Sequence, residues 1–168
     1  ESIMDMYPEK VEAGEPVNIL QVQQGAGYNS PFDRRQIGYQ PYEDEGKIKT
    51  VERIAPIDDQ NATSSMRDVT AATLPKYGEG EIDGIWCCYD AYAQGVYQAL
   101  IEANSDIPMV SVDICNEDIQ FMQEGKTGAP MENLHVVFSH WKWQISMKIF
   151  MLHPAIMKIL VTGWKFRL

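Results

Sequence analysis

The chain has 168 residues, 45% of them hydrophobic and 10% aromatic, which suits one packed domain with a sizeable core. A formal charge of −10 argues against a nucleic-acid partner, because phosphate binding rests on clustered Lys and Arg. Cys87 and Cys88 are adjacent and Cys115 stands apart, a spacing that gives neither a metal site nor an even disulfide framework, so all three read as buried free thiols.

Residues 1–14 read as a lead-in segment: Ile3, Met4, Met6 and Val11 stand among acids, and Pro8 argues against a long helix. No basic or apolar leader pattern follows Glu1, so no signal peptide is expected within these residues. After the Gly14-Glu15-Pro16 turn, Val17 to Val22 is a buried strand running into Gly25-Ala26-Gly27. No Gly-Lys-Ser/Thr or GxGxxG follows, which argues against a phosphate loop. A helix is expected next, with Asn29, Ser30 or Asp33 as its cap, Ile37 facing inward and Pro41 kinking or shortening it.

Ile48 to Ala55 alternates as a strand does. The polar, cap-rich run Ile57 to Ser65 leads to a helix through Met66, Val69, Thr73 and Leu74, closed by Pro75 and Gly78. Ile82 to Tyr89 is a third strand, with Trp86 expected to be largely buried. Asp90 then caps a helix on which Tyr92, Val96, Leu100 and Ala103 recur, with Tyr92 and Tyr97 packing inward. Ile107 to Asp113 is a fourth strand ending on a carboxylate, and Ile119, Phe121 and Met122 suggest a fourth helix stopping at Gly125.

Four strand-helix alternations over residues 15–126 predict an α/β fold: a doubly wound parallel sheet in three α/β/α layers. The carboxyl ends of its strands then share one edge, where open α/β sheets hold ligands. Asp113, Asp90, Tyr89 and Asp33 meet there, and convergent polar groups suit a hydroxyl-rich ligand.

Residues 127–168 differ in composition. They carry +4 of the formal charge, leaving −14 on residues 1–126, and hold all three histidines and Trp141, Trp143 and Trp164. The spacing of His135, His140 and His153 does not suit a metal. Lys148, Pro154 and Lys158 interrupt the apolar run before it reaches a membrane-spanning length. This tail is left unassigned, either a helix packed on a sheet edge or a segment without native partners; a basic amphipathic helix on a membrane surface is the sharper alternative.

The runs Asn29 to Tyr39, Tyr89-Asp90-Ala91-Tyr92-Ala93-Gln94-Gly95 and Val110-Ser111-Val112-Asp113 resemble the ribose-binding type of periplasmic sugar-binding protein. The same superfamily supplies the sensor domains of LacI-type regulators. The resemblance covers about residues 15–125 and implies the carboxyl-terminal lobe of a two-lobed type I periplasmic-binding-protein fold, with a sugar held between the lobes. It implies that Asp113 accepts hydrogen bonds from sugar hydroxyls and that Tyr89, just before Asp90, stacks on or hydrogen-bonds the ring. Asp33 stands where ribose binders carry an Arg, so Arg34 or Phe32 is expected to contribute; Gln60 or Asn61 replaces a cleft aromatic.

The resemblance implies further a monosaccharide ligand, no cofactor, a missing amino-terminal lobe, and a membrane permease of an ABC transporter as partner. The expected location is periplasmic or extracellular, in association with the membrane. The chain is then a fragment of the binding component of a sugar uptake system; the alternative is the effector-sensing domain of a LacI-type transcription regulator. An enzyme is not expected, since a nucleophilic Cys87 or Cys88 needs a nearby His as base and every His lies in the tail.

Overall fold

The structure is a computed structural model that describes residues 3–25 and 30–113, together with the backbone of 134–137. Five strands form one sheet: β1 (Val17–Val22), β2 (Ile48–Ile54), β3 (Gly84–Cys87), β4 (Met109–Val112) and β5 (Leu134–Val137). Their order is β2-β1-β3-β4-β5, and every neighbouring pair is parallel. The helices are α1 (Pro8–Ala13), α2 (Ser30–Asp44), α3 (Ala62–Thr73) and α4 (Asp90–Glu102), with single 3-10 turns at Met4–Met6 and Leu74–Lys76.

Alternation along the central strands builds two apolar faces, because successive side chains in a strand point to opposite sides. Leu20, Val22, Ile85, Cys87 and Met109 face α3 and α4, which add Met66, Tyr92, Val96, Tyr97 and Leu100. Val17, Ile19, Ile48 and Val110 face the other way, toward Ile3 and Tyr39 of α2. Helices on both faces of a parallel sheet make the expected three-layer α/β arrangement.

The two helix pairs are held differently. α3 and α4 touch almost backbone to backbone at Gly95, where a Cβ would stand 2.8 Å from the Arg67 nitrogen and 2.9 Å from Met66 Cβ. The Thr63 hydroxyl also donates across to the Ala91 carbonyl at 3.0 Å. By contrast α2 buries only Tyr39, whose hydroxyl meets Thr50 Oγ1 at 2.8 Å.

Beside Tyr39, α2 is held by an amide ladder. Gln36 Oε1 accepts from Gln21 Nε2 and Gln23 Nε2, both at 2.7 Å, and Gln36 Nε2 donates to Gln40 at 3.0 Å. Arg53 closes the ladder by donating to Gln21 Oε1 at 2.9 Å and to Glu43. Gln21 is fully buried on β1, so its polar atoms need these partners.

A strap closes the sheet's amino edge. Buried Asp83 accepts from Lys10 Nζ at 2.7 Å on both carboxylate oxygens and from the Asn18 amide at 2.7 Å. The Tyr7 hydroxyl donates to the Asp83 carbonyl at 2.6 Å, and Ile3 fills the space over Gly84. Pro8 opens α1, where a missing N–H costs nothing, and Gly14 ends it in the left-handed region at φ 71°.

Several expectations are corrected. Ile37 is 69% exposed rather than inward, because the inner face of α2 runs through Phe32, Gln36 and Tyr39, and α2 continues past Pro41 to Asp44. Asp90 is the first residue of α4, with Tyr89 in the capping position at φ −156° and ψ 143°. Trp86 is half-buried: its ring leans on Tyr39 at 5.0 Å between centroids, and α2 brings little else apolar to cover it. Leu134–Val137 is neither helix nor unpartnered, since it pairs with β4. The expected helix around Ile119, Phe121 and Met122 lies outside the described residues, as does Cys115.

Candidate functional site

The order β2-β1-β3 sends the chain to one side of β1 and then to the other, so the crossover connections diverge between β1 and β3. Their carboxyl ends mark the switch point, the location at which open α/β sheets bind ligands. Residues following β1, β2, β3 and β4 all come to this edge, and α2 begins beside it.

Arg35 of α2 is central to the cluster. One guanidinium nitrogen donates to the Cys88 carbonyl just past β3, and another pairs with the Asp113 carboxylate just past β4. Its Cζ lies 5.1 Å from the centroid of the Phe32 ring. Asp113 itself has φ 70°, in the left-handed region that few residues other than glycine enter without cost.

Three aromatic rings stand next to this pair. Phe32 lies 5.7 Å from Tyr89 and 6.2 Å from Tyr92, and the two tyrosines are 5.4 Å apart edge to face. These separations fall in the favourable range for aromatic pairs. Tyr92 is buried and donates its hydroxyl to Asp59 at 3.2 Å, while Tyr89 keeps about a third of its surface open. Asp59 in turn lies over Gly25, where a Cβ would come within 2.8 Å of Asp59 Oδ1.

Charge at the edge is mutually adjusted. Burial pushes the Asp90 carboxyl above its ordinary range, and the negative charge of Asp113 adds to the rise while Arg35 opposes it. The Asp90 carboxylate also accepts from the Ala91 amide at 2.7 Å. Burial raises the Cys88 thiol to about 12, which leaves almost no thiolate near neutrality. Burial likewise raises the Tyr92 phenol to about 12, with Asp59 contributing.

Of the residues expected at the edge, Asp113, Tyr89, Asp90 and Phe32 are brought together by these contacts. Asp33 lies in the first turn of α2, with its buried Oδ2 unpartnered among the described residues. Arg34 is exposed and makes no hydrogen bond or ion pair among the described residues. Asn61 is exposed too, and its amide donates to Asp58 at 2.8 Å within a local turn. Gln60 is engaged in the same turn through its backbone, which donates to Asp58 Oδ1 at 2.9 Å.

Two participants were not anticipated, Arg35 and Asp59. The signal for Arg35 lay in the helix face: from Phe32 and Tyr39, steps of three and four lead to Arg35 rather than Arg34. Among the described residues no group of His, Cys, Asp and Glu has the arrangement of a metal site, and no helix is long and apolar enough to cross a membrane. Fixed hydrogen-bonding groups beside an aromatic wall can hold a small polar ligand in one orientation without covalent chemistry.

No protein-family model and no curated protein sequence matches the chain. Solved structures do match. A sugar ABC transporter protein from Yersinia enterocolitica is 30% identical with a TM-score of 0.62, covering 81% of this chain and 40% of its own. A 5-methylthioribose transporter solute-binding protein from Thermotoga lettingae is 22% identical with a TM-score of 0.63, covering 98% of this chain and 48% of its own. The periplasmic binding component of an arabinose ABC transporter from Shewanella, bound to L-arabinofuranose, is 19% identical with a TM-score of 0.60, covering 99% of this chain and 51% of its own. The chain thus spans about half the length of these proteins or less. With its parallel sheet, switch-point edge and these matches, the chain has the fold of one lobe of the type I periplasmic sugar-binding proteins and resembles their ribose-binding type.

Proposed function

We propose that the chain is a sugar-contacting lobe of the binding component of an ABC-type uptake system, which holds a monosaccharide non-covalently between two lobes and presents it to a membrane permease. The observation that carries this reading is the Asp113 carboxylate, braced by Arg35 at the ends of β3 and β4 and flanked by Tyr89 and Phe32. A carboxylate accepts from hydroxyls, and a fixed aromatic offers the apolar face against which a sugar ring rests. The proposed location is the periplasm or cell exterior, beside the membrane.

A sugar presents many hydroxyls and little apolar area, so useful affinity needs donors and acceptors from both walls of a site closed to water. The 168 residues alone are therefore expected to bind sugars weakly or not at all. Calorimetry against D-ribose, L-arabinose and D-galactose tests this, using the chain and a form that also carries an amino-terminal lobe. The two-lobed form should bind one of them and lose about ten- to a hundredfold in affinity on Asp113→Ala, the worth of a hydrogen bond to a charged group. Tight binding by the chain alone, or indifference of the two-lobed form to Asp113→Ala, would refute the reading.

A further inference from the structure

We propose that Tyr92 is a positioning residue of this edge: its phenol holds the Asp59 carboxylate against Gly25, and so latches the loop after β2 onto the loop after β1. The functional weight of the latch rests on the reading of the edge as a ligand site; its geometry does not.

Tyr92 stands in the first turn of α4, and its ring packs on Phe32 at 6.2 Å and on Tyr89 at 5.4 Å between centroids. Only 5% of the residue is exposed, so the place of its hydroxyl is set by that packing and the group needs a partner there. It donates to Asp59 Oδ1 at 3.2 Å, and among the described residues it is the only donor to that carboxylate. The two carboxylate oxygens and Cγ of Asp59 lie 2.8, 2.9 and 3.1 Å from where a Gly25 Cβ would stand. The carboxylate therefore rests on bare backbone, and a side chain at position 25 would displace it.

The loop that carries Asp59 is stiff within itself. Ser65 Oγ accepts from the Ile57 and Asp58 amides at 2.8 and 3.1 Å, and Asp58 Oδ1 accepts from the Gln60 amide at 2.9 Å. These bonds make the loop one piece with the start of α3. Thr63 joins that piece to α4 through the Ala91 carbonyl, but it is Tyr92 that brings the loop over Gly25, at the end of β1. Asp59 is exposed, so the latch presents a carboxylate at a fixed place on the edge. An ionised carboxylate only accepts, so a ligand reaching this end of β2 is favoured if it offers a hydroxyl or ammonium there.

The phenol reports on the contact as well as making it. It is raised to about 12, first by burial and then by Asp59, with a smaller contribution from Cys88 and with the Gly25 backbone opposing the rise. Asp59→Asn keeps an acceptor and loses the charge, Asp59→Ala loses both, and Tyr92→Phe keeps the packed ring and loses the donor. Position and charge are thereby separated.

The test is NMR of the full 168-residue chain without ligand. The nuclear Overhauser effect between the Gly25 α-protons and the residue 59 β-protons reads the latch directly; it should be present in wild type, kept in Asp59→Asn and lost in Tyr92→Phe. The Tyr92 Cζ shift, followed from about pH 8 to 11 around the ordinary tyrosine value, reads the charge. Tyr92 should begin to ionise at lower pH in Asp59→Asn and Asp59→Ala than in wild type. An undiminished Overhauser effect in Tyr92→Phe would overturn the proposal, as would its loss in Asp59→Asn. So would the same onset of ionisation in wild type and Asp59→Ala, a variant at an exposed position that leaves the core intact. Neither readout needs sugar, so their failure leaves the sugar reading standing, and a failure of sugar binding leaves this latch standing.

Discussion

Replacing Gly95 by alanine puts one methyl group where α3 and α4 cross. An added Cβ would sit 2.8 Å from the Arg67 nitrogen and 2.9 Å from Met66 Cβ, and it would be closer still to the Thr63 carbonyl oxygen. Ordinary contact needs about 3.5–4.0 Å, so the helices must separate by about 1 Å. Two of the three obstacles are backbone atoms, which no change of side-chain rotamer can move. Overpacking costs about 1–3 kcal/mol where neighbours can yield and more where they cannot, whereas alanine returns about 1 kcal/mol through helix propensity. The expected net loss is about 2–4 kcal/mol, a large share of the about 5–15 kcal/mol that typically separates folded from unfolded states. Gly38 of α2 is the control: a Cβ there meets nothing within 4 Å, so Gly38→Ala should stabilise by about 0.5–1 kcal/mol. Urea denaturation of both variants reads the difference as opposite shifts in midpoint. A Gly95→Ala protein within about 0.5 kcal/mol of wild type would show that the crossing is looser than described and that the reasoning fails.

Among the described residues the Thr70 hydroxyl is buried without a partner, so Thr70→Val, which keeps the shape and removes the stranded polar group, should stabilise by about 1 kcal/mol; a lower urea midpoint would count against this. Stability should also fall as pH rises from about 9 to 12. Cys88 moves from 9.0 to about 12 in the fold, and Tyr39 and Tyr92 from 10.0 to about 12, so the folded state keeps protons that the unfolded chain releases. Below pH 9 that contribution is fully present. Cys88→Ala should flatten the early part of the decline, and an unchanged profile would refute the assignment.

The sheet was legible because β1, β3 and β4 are largely apolar runs and β2 alternates, each stopped by glycine, proline or aspartate, and such patterns are strong where one or both faces are covered. Asp113 and Tyr89 were legible for the same reason, as the residues at which those runs end. The inner face of α2 was not. A reading by hydrophobicity selects Ile37, while the helix seats itself through glutamines whose partners lie on β1 and become visible only when strand and helix are brought together. Gly95 was noticeable one turn into α4, but its reason, the approach of α3, belongs to the pairing of two helices. Leu134–Val137 was missed because three apolar residues around His135, in a compositionally different segment, carry too short a pattern to identify a strand.

The strap on Asp83 has a consequence for the order of assembly. Tyr7 and Lys10 are synthesised before their partner, which lies 76 and 73 residues further along the chain. At about 5–20 residues per second, that partner is made about 4–15 s later. Until β3 pairs beside β1, neither the carboxylate for Lys10 nor the Gly84 surface for Ile3 is in place. The strap is thus held waiting for a strand made later in the chain, and the arrival of that strand sets the time at which the strap closes.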